Sequence, residues 1–129
     1  MRHLLLFALA SALGGLARYG FSALVSALVK SAFPWGIFLT NILGCFLFGT
    51  IWGMASVHRL FSDATRVVIL TGFMGSFTTF STFVFDSNAL LESRAWLALA
   101  LNVAGQVIIG IIALQLGMRF SGLIAKFFG

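Results

Sequence analysis

Four long apolar stretches, separated by short polar connections, dominate the hydrophobic pattern of this chain. A helix that spans a bilayer needs roughly 20 mostly apolar residues, and each stretch reaches that length. The second stretch follows a proline and a tryptophan, which are typical of a helix start and of an interfacial anchor. The pattern predicts an all-α integral membrane protein in one domain, residues 1–129, with transmembrane helices at about 4–29, 36–57, 66–91 and 95–120.

The composition agrees with a membrane location and excludes several soluble classes. Hydrophobic residues make up 60% of the 129 residues and charged residues only 9%, against about 25% charged in a soluble domain. A chain this short has too much surface to hide so much apolar material in water. A soluble enzyme, a disulfide scaffold and a disordered tail are therefore excluded. The first stretch begins like a signal peptide, but it continues past residue 20, so we interpret it as a membrane helix.

The basic residues are distributed as membrane anchors rather than as a nucleic-acid surface. The formal net charge is +5, yet the cations occur singly and mostly flank the apolar stretches. We therefore expect membrane lipid as a partner and no nucleic acid. The predicted helices place Arg2, Arg59, Arg66, Arg119 and Lys126 at one membrane side and Lys30 and Arg94 at the other. This modest bias favours cytoplasmic termini.

Polar residues are concentrated in the middle of the third stretch. Residues 71–82 contain six Ser or Thr and two Gly. Glycine weakens a helix, and hydroxyl side chains can satisfy backbone groups that a break would free. Broken helices at membrane depth occur only where the backbone is buried in protein or lines a cavity. The alternative is a continuous helix whose small residues pack closely against a neighbour.

An aromatic pair and a glycine pair also occur at helical spacing. Phe80 and Phe83 share a helix face, and the electropositive edges of their rings can stabilise an anion. With 15 phenylalanines in the chain, ordinary packing is the alternative. Gly49 and Gly53 match the GxxxG motif, which allows close helix packing, and we expect a partner chain to pack against them.

Amide and charged side chains inside the stretches are further candidates. Asn41, and Asn102 with Gln106 four residues later, either bond a neighbouring helix or face a wet cavity. Asp86 is the acid farthest from any predicted loop. An intramembrane carboxylate is a candidate functional group, although it can also reach a vestibule or pair with Arg18.

Three motifs in this chain resemble those of the Fluc (CrcB-type) fluoride channels. The run Gly-Phe-Met-Gly-Ser-Phe-Thr-Thr-Phe-Ser-Thr-Phe at 72–83 is similar to the family's signature. Gly-Gly-Leu-Ala-Arg-Tyr at 14–19 resembles the first-helix motif, and Trp-Gly at 35–36 with Asn-Ile-Leu-Gly at 41–44 resembles the second-helix motif. Length, helix count and motif order agree as well. Ser76 in place of a second glycine and Phe77 in place of leucine are departures.

The resemblance implies a passive fluoride-selective channel that exports F⁻ across the cell (inner) membrane and lowers cytoplasmic fluoride. It implies an antiparallel, dual-topology homodimer whose third helix is broken in each subunit. A structural Na⁺ at the dimer centre would bind backbone carbonyls of Gly75 and Thr78. The other expected positions are an anion pathway of Asn41, Phe80, Phe83, Ser81, Thr82, Asn102 and Gln106, a vestibule acid at Asp86 and a first-helix arginine at Arg18.

The residue types fit that mechanism better than the alternatives. Strongly hydrated fluoride needs hydrogen-bond donors, which Asn41, Ser81 and Thr82 can supply, together with ring edges. A small dual-topology multidrug-type transporter would need a membrane carboxylate in its first helix, and residues 4–29 contain none. An accessory membrane subunit is the other alternative. No nucleophile and base are arranged for catalysis, so we expect no catalytic residues and no enzyme.

Overall fold

The structure, a computed structural model, describes residues 1–128, and the elements within that range are helices. Gly129, the last residue of the predicted domain, lies outside the described residues. Helix α1 is Arg2–Leu28, and α2 is Trp35–Trp52, which continues as a wider π-helical segment, Gly53–Val57. The third span consists of α3, residues 63–77, and α4, Phe80–Glu92. Helix α3 is itself π-helical over Val68–Met74. Helix α5 is Trp96–Phe128.

The prediction of four membrane helices is confirmed. Within the described chain, the stretches Arg2–Leu28, Trp35–Val57, Asp63–Glu92 and Trp96–Phe127 are long and apolar enough to cross a bilayer. The third span begins three residues before the predicted position because Ser62 caps it. The Ser62 Oγ accepts a hydrogen bond of 3.2 Å from the Thr65 amide, a typical N-cap interaction.

The fourth helix was predicted to end at residue 120, and that boundary is wrong. Helix α5 continues to the end of the described chain, so Lys126 lies on the helix rather than beyond it. The extension has a packing reason. Ser121 is only 1% exposed and lies directly against Gly53, so α5 still packs on the end of the second span at this level.

The GxxxG motif is used inside the subunit, which corrects the expectation of a partner chain at this surface. A Cβ atom at Gly49 would overlap the backbone carbonyl of Leu114, and one at Gly117 would overlap that of Phe46. The missing side chains therefore let α2 and α5 of the same chain approach until their backbones touch. Small residues allow this close helix contact in membranes, where burial of apolar surface supplies little driving force.

The apolar core lies between α1, α2 and α3. Leu70, Met74 and Phe77 are 6%, 1% and 4% exposed, and the side chains of Ala17 and Leu43 pack against them. Helix α1 approaches α3 so closely at Gly14 that a Cβ there would overlap the Phe73 carbonyl. This packing fixes α3 up to Phe77, which is the last residue before the helix is interrupted.

Candidate functional site: a cleft beside the interruption of the third span

The helical backbone of the third span is interrupted at Thr78 and Thr79. Thr78 has φ −84° and ψ 158°, and Thr79 has φ −148° and ψ 125°, so both are extended. In a continuous α-helix the amides of Thr79 and Thr82 would donate to the carbonyls of Gly75 and Thr78. Here Thr79 donates to Asn41 Oδ1 at 3.0 Å. Thr82 donates to Thr79 Oγ1 at 3.4 Å. The carbonyl oxygens of Gly75 and Thr78 are thereby released from their helical hydrogen bonds.

Thr79 is the N-cap of α4, a role that was not predicted from the sequence. Its hydroxyl accepts from the Thr82 amide and lies 3.1 Å from the Thr82 hydroxyl and 3.5 Å from that of Ser81. A threonine directly before an apolar helical run is a known helix-start signal. The signal was present in the sequence, but it stood inside a run of hydroxyl residues that masked it. The cap places three hydroxyl groups at the start of α4.

Asn41 on α2 holds both backbone groups of Thr79. Its Nδ2 donates to the Thr79 carbonyl at 3.2 Å, and its Oδ1 accepts from the Thr79 amide. The same Nδ2 also donates to Gln106 Oε1 on α5 at 2.7 Å. A carboxamide has two N–H groups, so both are engaged. Asn41 therefore ties α2 to the interruption and to α5 at once.

The polar residues of α5 continue this hydrogen-bonding into α4. Gln106 Nε2 donates to Asn102 Oδ1 at 2.9 Å. Asn102 Nδ2 donates to Ser87 Oγ at 3.0 Å, and Ser87 donates to the Phe83 carbonyl at 2.8 Å. Asn102 is 0% exposed and is not among the residues that line the neighbouring cleft. Ser87 was not predicted as a site residue, since a serine in an apolar helix carries no distinctive local signal.

A cleft of about 420 Å³ lies beside the interruption. Its aromatic wall is formed by Phe80 and Phe83, whose ring centroids are 5.8 Å apart with planes tilted by 46°. None of the described lining residues carries a formal charge. The rest of the lining combines neutral polar groups with apolar surface. It consists of Asn41, Thr78, Thr79, Gln106, Gly44, Cys45, Phe48, Val107 and Leu114. Such a cleft can offer neutral donors and ring edges to a small anion.

The remaining predicted residues lie outside this lining. Ser81 is exposed and Thr82 half-buried, and both adjoin the Thr79 hydroxyl. Asp86 and Arg18 are half-buried. In residues 1–128 no ion pair joins them. The same range contains no group of three or more His, Cys, Asp or Glu side chains that could hold a metal.

Comparison with known proteins assigns the chain to a family. The family model described as "CrcB-like protein, Camphor Resistance (CrcB)" matches residues 5–118. A protein of Nitratidesulfovibrio vulgaris strain Miyazaki F named "Fluoride-specific ion channel FluC" is 48% identical over 92% of this chain and 95% of its own length. Proteins with the same name from Solidesulfovibrio magneticus and Nitrosococcus oceani are 50% and 46% identical, each over 91% of this chain and 94% of its own length. The resemblance seen in the 72–83 signature is thus confirmed, and the similarity extends over nearly the whole chain. The chain belongs to the CrcB-like family.

Proposed function

We propose that this chain forms a passive, fluoride-selective channel through which F⁻ leaves the cell, so that cytoplasmic fluoride falls. The observation that carries the proposal is the cleft at the interruption, where Phe80 and Phe83 line the same space as neutral polar groups. It lies at mid-depth, because Thr78 is fifteen residues after Asp63 and fourteen before Glu92 in the third span. Family membership supports the same function, since the relatives of almost equal length are named fluoride-specific ion channels.

The chemistry of the cleft suits a small, strongly hydrated anion. A pore must replace the water that the ion loses, yet it must bind weakly enough to release the ion again. Ring edges are electropositive without a formal charge, and the hydroxyls of Ser81 and Thr82 can donate hydrogen bonds. Both N–H groups of Asn41 are already engaged. Donation from Asn41 to fluoride therefore requires that one of those bonds be exchanged for the ion.

Two other classes fit less well. Helix α1 contains no Asp or Glu, so the membrane carboxylate of a multidrug-type transporter is missing from the first span. An accessory subunit would not explain the aromatic and hydroxyl lining of the cleft. The family supports a non-enzymatic role, because its named members here are ion channels.

The proposed functional unit is an antiparallel homodimer in the cell (inner) membrane, surrounded by lipid. Thr71, Gly75 and Ser81 are exposed on the third span, and the extended backbone lies between them. Irregular backbone at membrane depth must be covered by protein, and a second copy can supply that cover. An interruption at mid-depth is compatible with opposite orientations, since two antiparallel copies then also bring their interruptions to the same level. The charge bias between the two membrane sides, five cations against two, is larger than in an ideal dual-topology protein, but a bias of this size guides insertion only weakly.

A structural Na⁺ at the dimer centre is the cofactor that we propose. The released carbonyls of Gly75 and Thr78 fit such an ion, because neutral oxygen ligands suit hard cations rather than transition metals. Gly75 is exposed, so its backbone lies on the surface that the second copy would cover. Two carbonyls from each subunit would then form the site. The ion would supply a fixed positive charge near the path of the anion.

The direct test uses purified protein in liposomes loaded with KF, with a fluoride electrode outside and valinomycin to carry the balancing K⁺. We expect rapid F⁻ release down its gradient without ATP, and little Cl⁻ release from matched KCl liposomes. Release no faster than from protein-free liposomes contradicts the proposal, as does equal release of both halides. Transport of a cationic dye against a proton gradient would instead support the multidrug-type alternative.

The dimer and its ion have separate tests. Cross-linking in liposomes should yield a dimer, and a monomer that retains F⁻ release would exclude it. In a crystal structure the Na⁺ should be a compact density peak on the two-fold axis, about 2.3–2.6 Å from four carbonyl oxygens, the distance range of hard-cation ligands. A continuous third helix, with these carbonyls bonded internally, would exclude the ion site.

A further inference from the structure

An unbroken path of hydrogen bonds links two backbone positions of the third span by way of α2 and α5. It leaves the span at the Phe83 carbonyl and returns to it at the Thr79 amide. Every connection is 3.0 Å or shorter. We name this path the amide relay, and its side chains in order are Ser87, Asn102, Gln106 and Asn41.

The backbone groups at its two ends give the amide relay one direction. The Thr79 amide can only donate, so the atom of Asn41 that faces it must be the carbonyl oxygen Oδ1. The Phe83 carbonyl can only accept, so the Ser87 hydroxyl must donate to it and accept from Asn102 Nδ2. Assigning donors and acceptors from the Thr79 end gives the same direction for every hydrogen bond as assigning them from the Phe83 end. A flip of Asn41 or Gln106 would set oxygen against oxygen and nitrogen against nitrogen. A flip of Asn102 would set its Nδ2 against Gln106 Nε2, and the Ser87 hydroxyl would have to leave the Phe83 carbonyl to donate to Asn102 Oδ1.

The relay is placed to control the geometry of the cleft. Its ends join the backbone at residues 79 and 83, so they bracket the turn that carries Phe80 and Phe83. Apolar packing holds α4 weakly, because Leu90 is its one buried residue. Asn102 in the middle of the relay is 0% exposed, and water cannot replace a lost partner there. The orientation of each carboxamide therefore depends on the next.

We propose that Ser87 is a positioning residue, which acts through Asn102 and Gln106 to fix the orientation of the Asn41 carboxamide at the interruption. Ser87 does not line the cleft. A reversed Asn41 would place Nδ2 against the Thr79 amide and Oδ1 against the Thr79 carbonyl, and both contacts are repulsive. Through its bond to Asn102, and the bonds from Asn102 to Gln106 and from Gln106 to Asn41, the Ser87 hydroxyl adds to the restraint that keeps Asn41 in the orientation that Thr79 requires. Its effect on ion flow rests on the proposed function, but its effect on the Thr79 amide does not.

The test compares Ser87→Thr with Ser87→Val, which add nearly the same volume but differ in the hydroxyl. Fluoride release is measured in liposomes, and hydrogen exchange at the Thr79 amide is followed by NMR on protein labelled with ¹⁵N-threonine. We expect Ser87→Thr to behave like the parent. Ser87→Val should release F⁻ about tenfold more slowly, which corresponds to about 1.4 kcal/mol. Its Thr79 amide should also exchange about tenfold faster, while the dimer still elutes at the parent's volume.

Each outcome decides the proposal. Equal behaviour of Ser87→Thr and Ser87→Val in both measurements, whether fast or slow, means that the hydroxyl has no positioning role and overturns it. If the parent itself releases no fluoride, the proposed function fails, and the exchange rates at Thr79 alone decide the relay. Should Ser87→Val not fold, Ser87→Ala takes its place, with slower release and faster exchange than Ser87→Thr expected and equality again overturning the proposal.

Discussion

The two halves of the third span are held in place by different interactions. Helix α3 is held by apolar burial, since Leu70, Met74 and Phe77 are all nearly inaccessible, and by close contact with α1. Helix α4 has one buried residue, Leu90, and hydrogen bonds hold its first turns. The half that anchors the fold is therefore separate from the half that carries the candidate ion pathway. Substitutions in α3 should lower stability, whereas substitutions in the first turns of α4 should mainly change conduction.

The largest effect is expected from Phe77→Ala. Phe77 is 4% exposed in the core of α3, and its removal leaves a cavity. The free energy of unfolding should fall by about 3–5 kcal/mol, as for other buried phenylalanines. Thermal unfolding in detergent measures the change. Phe85→Ala on α4, where the ring is 71% exposed, is the matched control and should melt like the parent. Equal melting temperatures for the two variants would mean that α3 and α4 do not differ in how they are stabilised.

Gly14→Ala should have the next largest effect. The added methyl group would overlap the Phe73 carbonyl and force α1 away from α3. Overpacking of this kind costs about 1–3 kcal/mol. Gly15→Ala, with nothing within 4 Å of its Cβ, is the control. It should be slightly stabilising because alanine favours a helix by about 1 kcal/mol over glycine. A melt in which Gly14→Ala is as stable as Gly15→Ala would mean that α1 does not approach α3 as described.

Phe80→Ile tests the role of α4, the half of the third span that carries the candidate ion pathway. Phe80 is 76% exposed, so we expect no change in melting temperature. Loss of the electropositive ring edge should slow F⁻ release by up to about tenfold, since such aromatic contacts contribute about 0.5–1.5 kcal/mol. Phe85→Ile changes a ring of similar exposure that does not line the cleft, and it should leave release unchanged. If both variants conduct like the parent, Phe80 is a packing residue.

The smallest effect is expected from Thr79→Ala. The variant loses the side-chain cap of α4, but the bond to the Thr82 amide is long, at 3.4 Å. The cost should lie near the lower end for a lost N-cap, about 0.5 kcal/mol. Thr79→Ser keeps the hydroxyl and should match the parent in unfolding titrations. A Thr79→Ser variant as destabilised as Thr79→Ala would assign the effect to the lost methyl group instead.

Much of the architecture could be predicted from the sequence. Each span is recognised by its own apolar length, and the start of α2 by its proline and tryptophan, because these are local properties. The end of α5 was misplaced since Ser121 is polar in sequence, and only its contact with Gly53 makes it a buried packing residue. The GxxxG motif was recognised as a close contact, but the helix that it contacts could not be identified from spacing.

The candidate site could be predicted only in part, because its contacts also join residues that are far apart in the chain. The sequence marked the polar residues at 71–82 and the amides Asn41, Asn102 and Gln106. It did not indicate that Asn41 holds both backbone groups of Thr79, or that Asn102 is buried against Ser87. These contacts join residues between 15 and 38 positions apart in the chain.

The sequence by itself determined the class of the protein, its four spans and its family, because hydropathy and motif order are written along the chain. Only the tertiary structure decided that the GxxxG face packs within the subunit, that α5 extends along the second span, and that the interruption is held from α2. Which polar groups pair inside a membrane depends on which helix faces meet at the same depth. That choice is made by packing across helices, where each donor must find its acceptor away from water.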